Sequence, residues 1–374
     1  MRFPEFSREW HNHPLTDFMS FKNGMNPDVK RFGHGTKFIS VMDILNNQFI
    51  YYDDIRASVE VIDGDLETYG VNYGDILFQR SSETLEDVGQ ANVYLDSKPV
   101  VFGGFVIRGK SKGNYNPLFF RYLLASPAVR KRIITKGAGA QHFNIGQDGL
   151  SKVCVDIPCK QEQEKIAKLL SLLDERMATQ SKIIEDLKKL KSAIRKKVFV
   201  SLKGEYTECY EIHQLLTYEQ PTAYIVANDE YSTDTNLIPV LTANKGFVLG
   251  YTNEDFGIYQ KGECIIFDDF TMDAKYVAFP FKVKSSAIKI LTAKPNVNLR
   301  FMFEYLSYLE LKSEEHKRHY ISEIASLVVE LPSKEMQDQI TSLMTLLGNK
   351  LALEEKAKVR YENKKQYLLS QMFI

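Results

Sequence analysis

Apolar residues recur every three or four positions along residues 158–200. Two polar residues, Gln180 and Lys191, interrupt an otherwise apolar series: Ile166, Leu170, Leu173, Met177, Ile184, Leu187, Ile194 and Val198. Steps that alternate between four and three give a 3.5-residue repeat, which predicts one long helix with a single apolar seam. Pro158 suits the first helical turn, because its missing N–H has no partner there. A helix of roughly 40 residues would be about 60 Å long.

The same pattern returns near the end of the sequence, where Ile340 corresponds to Ile166. Its polar interruptions are Glu354, Lys358 and Lys365, and its apolar seam is Ile340, Met344, Leu347, Leu351, Tyr361, Leu368 and Met372. The segments that precede the two seams also match, since Gln163 and Gln337 each follow a proline at the same spacing. This is an internal duplication with a period of about half the chain. Two seams in one chain can bury each other.

The segments between the helices favour short strands, because they are rich in β-branched and aromatic residues and are separated by Gly, Asn and Asp. In the first half we predict strands at residues 37–42, 49–52, 75–78 and 100–102, then a helix at 116–126 and a glycine-rich loop at 136–144. Residues 262–267, 298–307 and 319–322 repeat this outline in the second half. The predicted fold is therefore α+β, with two globular domains alternating with two long helices: 1–153, 154–203, 204–327 and 328–374.

Composition narrows the class of protein. The chain has 374 residues, of which 44% are hydrophobic and 26% charged, as in a soluble globular protein. The sequence contains no run of about 18 apolar residues, which a membrane-spanning helix would need. The first residues also lack an apolar leader, so we expect a cytoplasmic protein. The four cysteines form no CxxC pair, and we expect reduced thiols and no structural zinc.

The charge balance counts against a simple basic nucleic-acid coat protein. The formal net charge is zero and the pI is about 7.1. Residues 182–203 depart from this average, with eight Lys or Arg against Glu185 and Asp186. That segment is either a solvated helix face or a stripe that faces phosphates, and the pattern leaves both interpretations open.

Catalytic signatures are missing from the sequence. Gly137-Ala-Gly139-Ala lacks the third glycine of a dinucleotide-binding loop, and there is no GxxxxGK[ST] phosphate loop. The (Asn/Asp)-Pro-Pro-(Phe/Tyr) signature of amino-methyltransferases is also missing. Asp268, Asp269 and Asp273 could suggest a metal site, but three acids so close together are more often a hydrated turn. We therefore expect a non-catalytic chain that holds no metal.

This layout resembles the specificity (S) subunit of type I restriction–modification systems. The resemblance rests on the two Pro-x-x-x-x-Gln-x-x-Ile helix openings (Pro158/Gln163/Ile166 and Pro332/Gln337/Ile340), on Leu172-Leu173-Asp174 with Lys191 and Phe199, and on the opening Arg2-Phe-Pro-Glu-Phe with Trp10. It covers essentially the whole chain. The second copy departs from the first where Gly348 replaces Asp174.

The resemblance implies two target-recognition domains, each contacting one half of a split asymmetric site in double-stranded DNA. It implies that the two long helices pair as an antiparallel coiled coil that fixes the spacing and docks two methyltransferase subunits, to which restriction subunits are added. Methyl transfer and ATP-driven cleavage would belong to those partners. S-adenosylmethionine, ATP and Mg²⁺ are accordingly expected on the partner subunits, with no cofactor on this chain and no membrane.

Polar loop residues backed by strands are the candidates for base contact, because Arg and Lys can pair with guanine, and Asn and Gln with adenine. In the first domain they are Lys22, Asn23, Lys30, Arg31, Lys37, Gln79, Arg80, Ser81, Ser82, Gln141, His142 and Asn144. In the second they are Thr242, Asn244, Lys245, Thr271, Lys275, Arg318, His319 and Tyr320. For any one of them the alternative is a solvated loop residue.

Two other functions compete with DNA recognition. A non-enzymatic coiled-coil adaptor that joins two protein-binding domains would explain the helices and the neutral charge. It would not explain a duplicated domain plan that ends in similar loops. A restriction–methylation enzyme with its own catalytic domain is disfavoured by the missing cofactor and methylation motifs.

Overall fold

The structure, a computed structural model, describes residues 2–202, 208–243, 246–311 and 320–373. The chain folds into two units, which are described separately. Unit 1 comprises Met1–Ser181 with Ala357–Ile374, and unit 2 comprises Lys182–Lys356. Each long helix therefore contributes one segment to each unit. The division into four segments made from the sequence stays a prediction.

Unit 1 contains the first series of short strands and helices. Its strands are β1 (His11–Pro14), β2 (Met19–Asn23), β3 (Phe32–Ile39), β4 (Ser58–Val59), β5 (Ile76–Gln79), β6 (Ser81–Ser82), β7 (Ala91–Val93), β8 (Val101–Phe102), β9 (Val106–Ser111), β10 (Phe143–Asn144) and β11 (Cys154–Ile157). Its helices are α1 (Val41–Asn46), α2 (Asp65–Tyr69), α3 (Pro117–Ala125), α4 (Pro127–Ile134) and α5 (Gln147–Ser151). The long helix α6 (Lys160–Ser201) follows.

Unit 2 repeats the series. Its strands are β12 (Glu208–Glu211), β13 (Leu216–Glu219), β14 (Ile238–Leu241), β15 (Val248–Thr252), β16 (Cys264–Asp268), β17 (Ala274–Val277), β18 (Lys282–Val283), β19 (Ile288–Ala293) and β20 (Val328–Leu331). Its helices are α7 (Ile212–Leu215) and α8 (Leu299–Tyr308), followed by the second long helix α9 (Lys334–Met372).

Sheet topology confirms the duplicated domain plan. Unit 1 has a four-stranded antiparallel sheet in the order β2-β9-β5-β7, and unit 2 has β13-β19-β16-β17. The three-stranded sheets correspond as well, β4-β3-β8 and β15-β14-β18, each with one parallel pair. An antiparallel pair precedes each long helix, β1 with β11 and β12 with β20. Unit 1 also has the two-stranded ribbon β6–β10.

Local predictions were right where a cap or a buried strand dictated the structure. The predicted helix at 116–126 is α3, with Pro117 first and the Asn116 side chain accepting the N–H of Phe119 at 2.9 Å. The predicted strands at 75–78 and 100–102 are β5 and β8. The strand prediction was wrong at residues 41–42, which belong to α1, because Ser40 forms a capping box with Asp43.

Two further local predictions need correction. Residues 49–52 form only a single bridge at Ile50 before a 3-10 turn begins at Tyr52. Pro158 lies just before Lys160, the first residue of α6, and its carbonyl accepts a hydrogen bond from the Gln163 side chain. The start of the helix is thus set by a side chain as well as by proline.

The two long helices pair through their seams, as predicted. Every predicted seam residue of α6 and α9 is buried or half-buried. In unit 1 the Lys365 Nζ lies 2.5 Å from the Asp174 Oδ1, and the Arg176 Nε donates to the Tyr361 hydroxyl at 3.2 Å. The residue numbers of the contact partners rise along α6 and fall along α9, from Asp174 with Lys365 to Arg176 with Tyr361. The two helices are therefore antiparallel. The polar residues of the series also lie within this shielded strip.

The glutamine of each helix opening joins a domain to its long helix. In unit 1 the buried Gln163 side chain donates to the Pro158 carbonyl at 3.0 Å and accepts the N–H of Asn116 at 3.0 Å. In unit 2 Gln337 does the same with Pro332 and Asn298, at 2.9 and 2.8 Å. Asn116 and Asn298 cap α3 and α8. One amide therefore fixes the start of two helices.

An ionic contact in unit 1 joins α3 to the helix pair. The Tyr122 hydroxyl of α3 donates to Asp174 at 2.7 Å, and Lys365 of α9 lies against the other oxygen of the same carboxylate. Burial, and then the hydrogen bond to Asp174, raise the pKa of Tyr122. The tyrosine therefore remains a donor, and the charge of Asp174 is balanced by Lys365.

Unit 2 has a corresponding ionic contact, but its acid lies on the domain helix α8 and not on a long helix. Gly348 stands where unit 1 has Asp174, and Glu304 of α8 stands where α3 has Tyr122, at the same distance after the capping asparagine. The buried Glu304 lies 3.1 Å from the Nζ of Lys191 and 2.7 Å from Arg195. A Cβ at Gly348 would lie 3.7 Å from that Nζ. The carboxylate has moved from the long helix to the domain helix, and the lysine is still paired.

This relocation predicts a compensating pair of substitutions. We expect Glu304→Tyr to lower the opening free energy of α8 by about 3 kcal/mol, because Lys191 and Arg195 lose a buried counter-ion. Adding Gly348→Asp should restore a large part of that loss, since it places a carboxylate beside Lys191. Amide hydrogen exchange of α8 measures the opening free energy.

The control is Gly348→Asp alone, which adds a second carboxylate to an already paired cluster and should give no comparable gain. Unchanged α8 protection in Glu304→Tyr would contradict the ionic contact. Additive effects of the two substitutions would contradict the compensation.

Candidate nucleic-acid interface

The ribbon β6–β10 brings several of the predicted contact residues together. Ser81 lies opposite Asn144, and the Ser81 hydroxyl hydrogen-bonds the Asn144 side chain. Ser82 lies opposite Phe143. The Asn144 side chain also donates to the His142 carbonyl at 3.3 Å. Residues that are far apart in the sequence thus form one polar edge, with the exposed Gln141 and His142 beside it.

The strand that leads into this ribbon carries Gln79 and Arg80. Gln79 is only 5% exposed, and its side-chain nitrogen donates to the Ser81 carbonyl at 2.8 Å. The placement gives Gln79 a role in shaping the ribbon and leaves little surface for base contact. Arg80 is half-buried, and its guanidinium donates to the Gly104 carbonyl at 3.2 Å. This bond places the arginine beside the turn between β8 and β9.

That turn consists of Gly103, Gly104 and Phe105. The Val106 N–H donates to the Gly103 carbonyl at 2.9 Å, and the Arg80 N–H donates to the Phe105 carbonyl at 2.9 Å. The turn is therefore tied to the ribbon through the backbone of Arg80. Together, residues 79–82, 103–105 and 141–144 form a continuous surface, called here the ribbon surface.

The other predicted residues of unit 1 lie at separate points. Lys22 and Asn23 end β2, and the Lys22 Nζ lies 5.5 Å from the centroid of the Tyr69 ring. Lys37 on β3 donates to the Ile55 carbonyl at 2.5 Å. Lys30 is exposed on the 3-10 turn Val29–Arg31. No contact places these residues on the ribbon surface, and their DNA contacts stay predictions.

Arg31 has an evident structural role. Its guanidinium donates twice to the Glu60 carbonyl, at 2.9 and 2.7 Å, and pairs with Asp65. A hydrogen bond from the Ile62 N–H, and then Arg31, hold the pKa of Asp65 below its ordinary value. The arginine therefore stays paired down to acid pH and ties the loop before β3 to α2. Its base contact is untested.

A basic cleft of about 540 Å³ lies between α4 and the segment before β11. It is lined by Ala128, Lys131, Arg132, Thr135, Lys136, Lys152, Val153 and Cys154. Arg132 is paired with Asp156 at 2.8 Å. Among the described residues, no carboxylate forms an ion pair with Lys131, Lys136 or Lys152. Lys136 also begins the glycine-rich loop that leads to the ribbon surface, so the positive charge adjoins that surface.

Half of the predicted residues of unit 2 lie outside the described residues, namely Asn244, Lys245, Arg318 and His319. Of the others, Thr271 is exposed on the β16–β17 turn and Lys275 is half-buried on β17. Thr242 is largely buried after β14.

Tyr320 needs correction as a contact residue. It is 1% exposed and packs between Tyr218 and Phe267, so its side chain offers no surface to DNA.

The acids of the β16–β17 turn hold the turn together. The Asp268 carboxylate accepts the N–H groups of Phe270 and Thr271, both at 2.9 Å. The buried Asp269 accepts the Tyr320 N–H at 2.7 Å and faces Lys289 at 3.5 Å. Asp268 and Asp269 are 7% and 1% exposed, so the expectation of a hydrated turn is wrong for these two acids, which hold the turn through protein contacts.

Four basic side chains of residues 182–203 form ion pairs in the described part of the chain. Lys188 and Lys189 contact Glu355 and Glu185, and Lys191 and Arg195 contact Glu304. Lys203 lies outside the described residues. Half of the basic side chains in this segment are thus neutralised within unit 2, which favours the solvated-face interpretation over a phosphate-facing stripe.

Comparisons with known proteins show which proteins this chain resembles. Residues 7–189 match the model of the type I restriction modification DNA specificity domain. A 137-residue segment is 44% identical to the EcoR124I/EcoR124II specificity subunit of Escherichia coli; it covers 35% of this chain and 34% of that relative. A putative MjaX specificity subunit of Methanocaldococcus jannaschii is 24% identical over 98% of this chain and 93% of its own length. The chain is thus similar to the specificity subunits of type I restriction enzymes.

The fold is also similar to that of a solved specificity subunit. The crystal structure of a type I S subunit from M. genitalium superposes with a TM-score of 0.64 at 16% identity, covering 100% of this chain and 99% of the other. In the part of the chain that the structure describes, no helix has the length and apolar character needed to span a bilayer.

Sequence reasoning missed several residues that lie at the candidate DNA surface of this chain. Lys131, Lys136 and Lys152 were overlooked, although residues 127–152 carry five basic side chains against the single acid Asp148. Phe105 was overlooked because it is apolar and precedes the apolar residues Val106 and Ile107. The preceding Gly103-Gly104 pair is the signal that could have marked it as the tip of a turn.

Proposed function

We propose that this chain is the DNA-recognition subunit of a type I restriction–modification complex, in which each unit contacts one half of a split asymmetric site. The observation that carries the proposal is the duplicated domain plan with different polar loops. Two copies of one scaffold that present different side chains suit a target whose halves differ in sequence but share the geometry of the duplex. Similarity to type I specificity subunits supports the same conclusion.

Partner subunits would supply the chemistry. We infer that the helix pair docks two methyltransferase subunits and fixes the separation of the two contact surfaces, with restriction subunits joining the complex. The duplication supports two equivalent docking surfaces, since each half of the helix pair repeats the other. Leu172 and Leu346 illustrate this equivalence, because both are exposed and they occupy corresponding positions of the two copies. S-adenosylmethionine, ATP and Mg²⁺ would bind those partners.

The adaptor hypothesis is not favoured, because the family match is to a DNA specificity domain.

Methylome sequencing tests the proposal directly. A host that expresses the cognate methyltransferase with this chain should show a split methylated motif, and a host that expresses the methyltransferase alone should lack it. An unchanged methylome in the presence of an assembled complex would refute sequence recognition and revive the adaptor hypothesis.

Arg80→Ala tests base recognition on the ribbon surface. We expect discrimination to weaken at one position of one half-site, by about 1–3 kcal/mol, because an arginine that contacts guanine contributes that much. Competition binding with single-base variants of the motif measures it. Arg56→Ala, which removes an exposed arginine elsewhere on unit 1, is the matched control. An equal loss of affinity for all sequences would contradict the assignment.

The basic cleft predicts a contribution that is independent of sequence. Changing Lys131, Lys136 or Lys152 singly to Gln should weaken binding to specific and non-specific DNA alike. The slope of log K against log salt should fall by about 0.9 for each phosphate contact removed. Lys110→Gln on β9, an exposed lysine outside the cleft, should leave the slope unchanged. Altered base preference without a change of slope would contradict the phosphate role.

A length change in the helix pair tests the spacing. Matched seven-residue insertions near Gln180 in α6 and near Lys358 in α9 keep both seams in register and add about 10.5 Å of helix. The spacer of the methylated motif should then lengthen by about three base pairs, at about 3.4 Å each. Both half-sites should stay the same. Insertion into α6 alone breaks the register and serves as the control. An unchanged spacer would show that the helices do not set the distance.

A further inference from the structure

A large aromatic side chain projects from the turn of the ribbon surface. Phe105 is 70% exposed, although an isolated exposed apolar residue is by itself unremarkable in a soluble protein. What distinguishes Phe105 is the turn that holds it. Its carbonyl accepts the Arg80 N–H at 2.9 Å, and the next residue, Val106, donates to the Gly103 carbonyl at 2.9 Å. The ring is thus presented from a backbone that is fixed on both sides.

The two glycines before Phe105 hold the turn close against unit 1. A Cβ at Gly103 would lie 2.5 Å from the Phe38 ring, and a Cβ at Gly104 would clash with the Asn26 side chain. The Gly103 N–H also donates to the Ile39 carbonyl at 3.0 Å. Neither glycine can carry a side chain without a shift of its neighbours. The position of Phe105 is therefore set by packing that does not involve its own ring.

The surroundings of the ring are polar. Arg80 bonds the carbonyls of Gly104 and Phe105, and the exposed Asn26 packs against Gly104. Among the described residues, no other aromatic ring stacks on Phe105 and no cation lies over it. An aromatic side chain on a turn that also contacts an arginine and an asparagine combines the guanine, adenine and thymine contact chemistries in one small area.

Building on the proposed function, we propose that Phe105 contacts the C5-methyl group of a thymine in the half-site bound by unit 1. That methyl is the one apolar group that a base pair displays in the major groove, and phenylalanine is among the side chains that contact it. The adjoining ribbon β6–β10 supports the major groove, because a two-stranded ribbon fits that groove. A wedge between base steps would belong to a minor-groove binder.

Deoxyuridine substitution tests this contact, since deoxyuridine keeps the base pairing of thymidine and lacks the methyl. The complex of the chain with its methyltransferase subunits is first used to define the methylated motif. Each thymine of the motif, on either strand, is then replaced singly by deoxyuridine. With the native chain, one replacement in one half-site should lower affinity, and the others should have little effect.

The Phe105→Ala variant should bind the native site about 10- to 100-fold more weakly, the range that corresponds to loss of a buried aromatic contact. It should also be insensitive to the one deoxyuridine that weakens the native complex. Phe105→Leu, which keeps an apolar contact, should retain part of both effects. Tyr73→Ala is the matched control, because Tyr73 is an exposed aromatic at the opposite end of β5. It should bind like the native chain.

Each other outcome overturns the inference. An affinity loss in Phe105→Ala that persists equally at every deoxyuridine would mean a contact other than a methyl, and a loss of DNA bending alone would mean a wedge. A motif with no thymine in either strand of either half-site would also overturn it. Failure of the proposed function is distinct, because then no motif would depend on the chain at all.

Discussion

Each unit depends on one buried glutamine side chain, which accepts a hydrogen bond from one backbone segment and donates a hydrogen bond to another. Gln163 and Gln337 connect the residue that begins a domain helix to the proline that precedes a long helix. Their loss would leave a partly buried N–H without its partner and a buried carbonyl unsatisfied, the carbonyl alone costing about 1–3 kcal/mol. The orientation of the domain on the helix pair follows from this connection, and so does the direction in which its loops project. The two copies of the sequence accordingly keep the glutamine at the same place.

The helix pair was predictable because its physics is periodic. A 3.5-residue apolar repeat requires a partner, and the second copy of the repeat supplied it. Strands were predicted less well. Residues 41–42 were predicted as strand but belong to α1, because Ser40 caps that helix. The ribbon β6–β10 joins two segments that are far apart in the sequence, and no local pattern encodes such a pairing. The predicted contact residues fell partly on this ribbon, but the burial of Tyr320 depends on distant packing partners.

A DNA-binding domain must both discriminate bases and attract the phosphate backbone. Under the proposed function, the ribbon surface would serve the first task and the basic cleft the second. Side chains on a fixed strand edge can discriminate bases. Lysines that contact phosphates contribute affinity but carry no sequence information. Under the same proposal, unit 1 would keep these tasks on different elements, the ribbon with its turn and the segment around α4. A chain with no net charge can therefore hold a basic surface locally, because an equal excess of acidic residues lies elsewhere in the sequence.

The displaced carboxylate of unit 2 has a consequence for recombination between such genes. A domain that brings its own acid, like the one carrying Glu304, fits a long helix with glycine at the facing position. A domain that brings a tyrosine fits a helix that already has Asp174. Exchange of domains between the two positions without their helices would leave one lysine facing two carboxylates and the other facing none. Productive crossovers are therefore expected within the long helices, beyond Asp174 and Gly348, so that each domain is inherited together with its counter-charge.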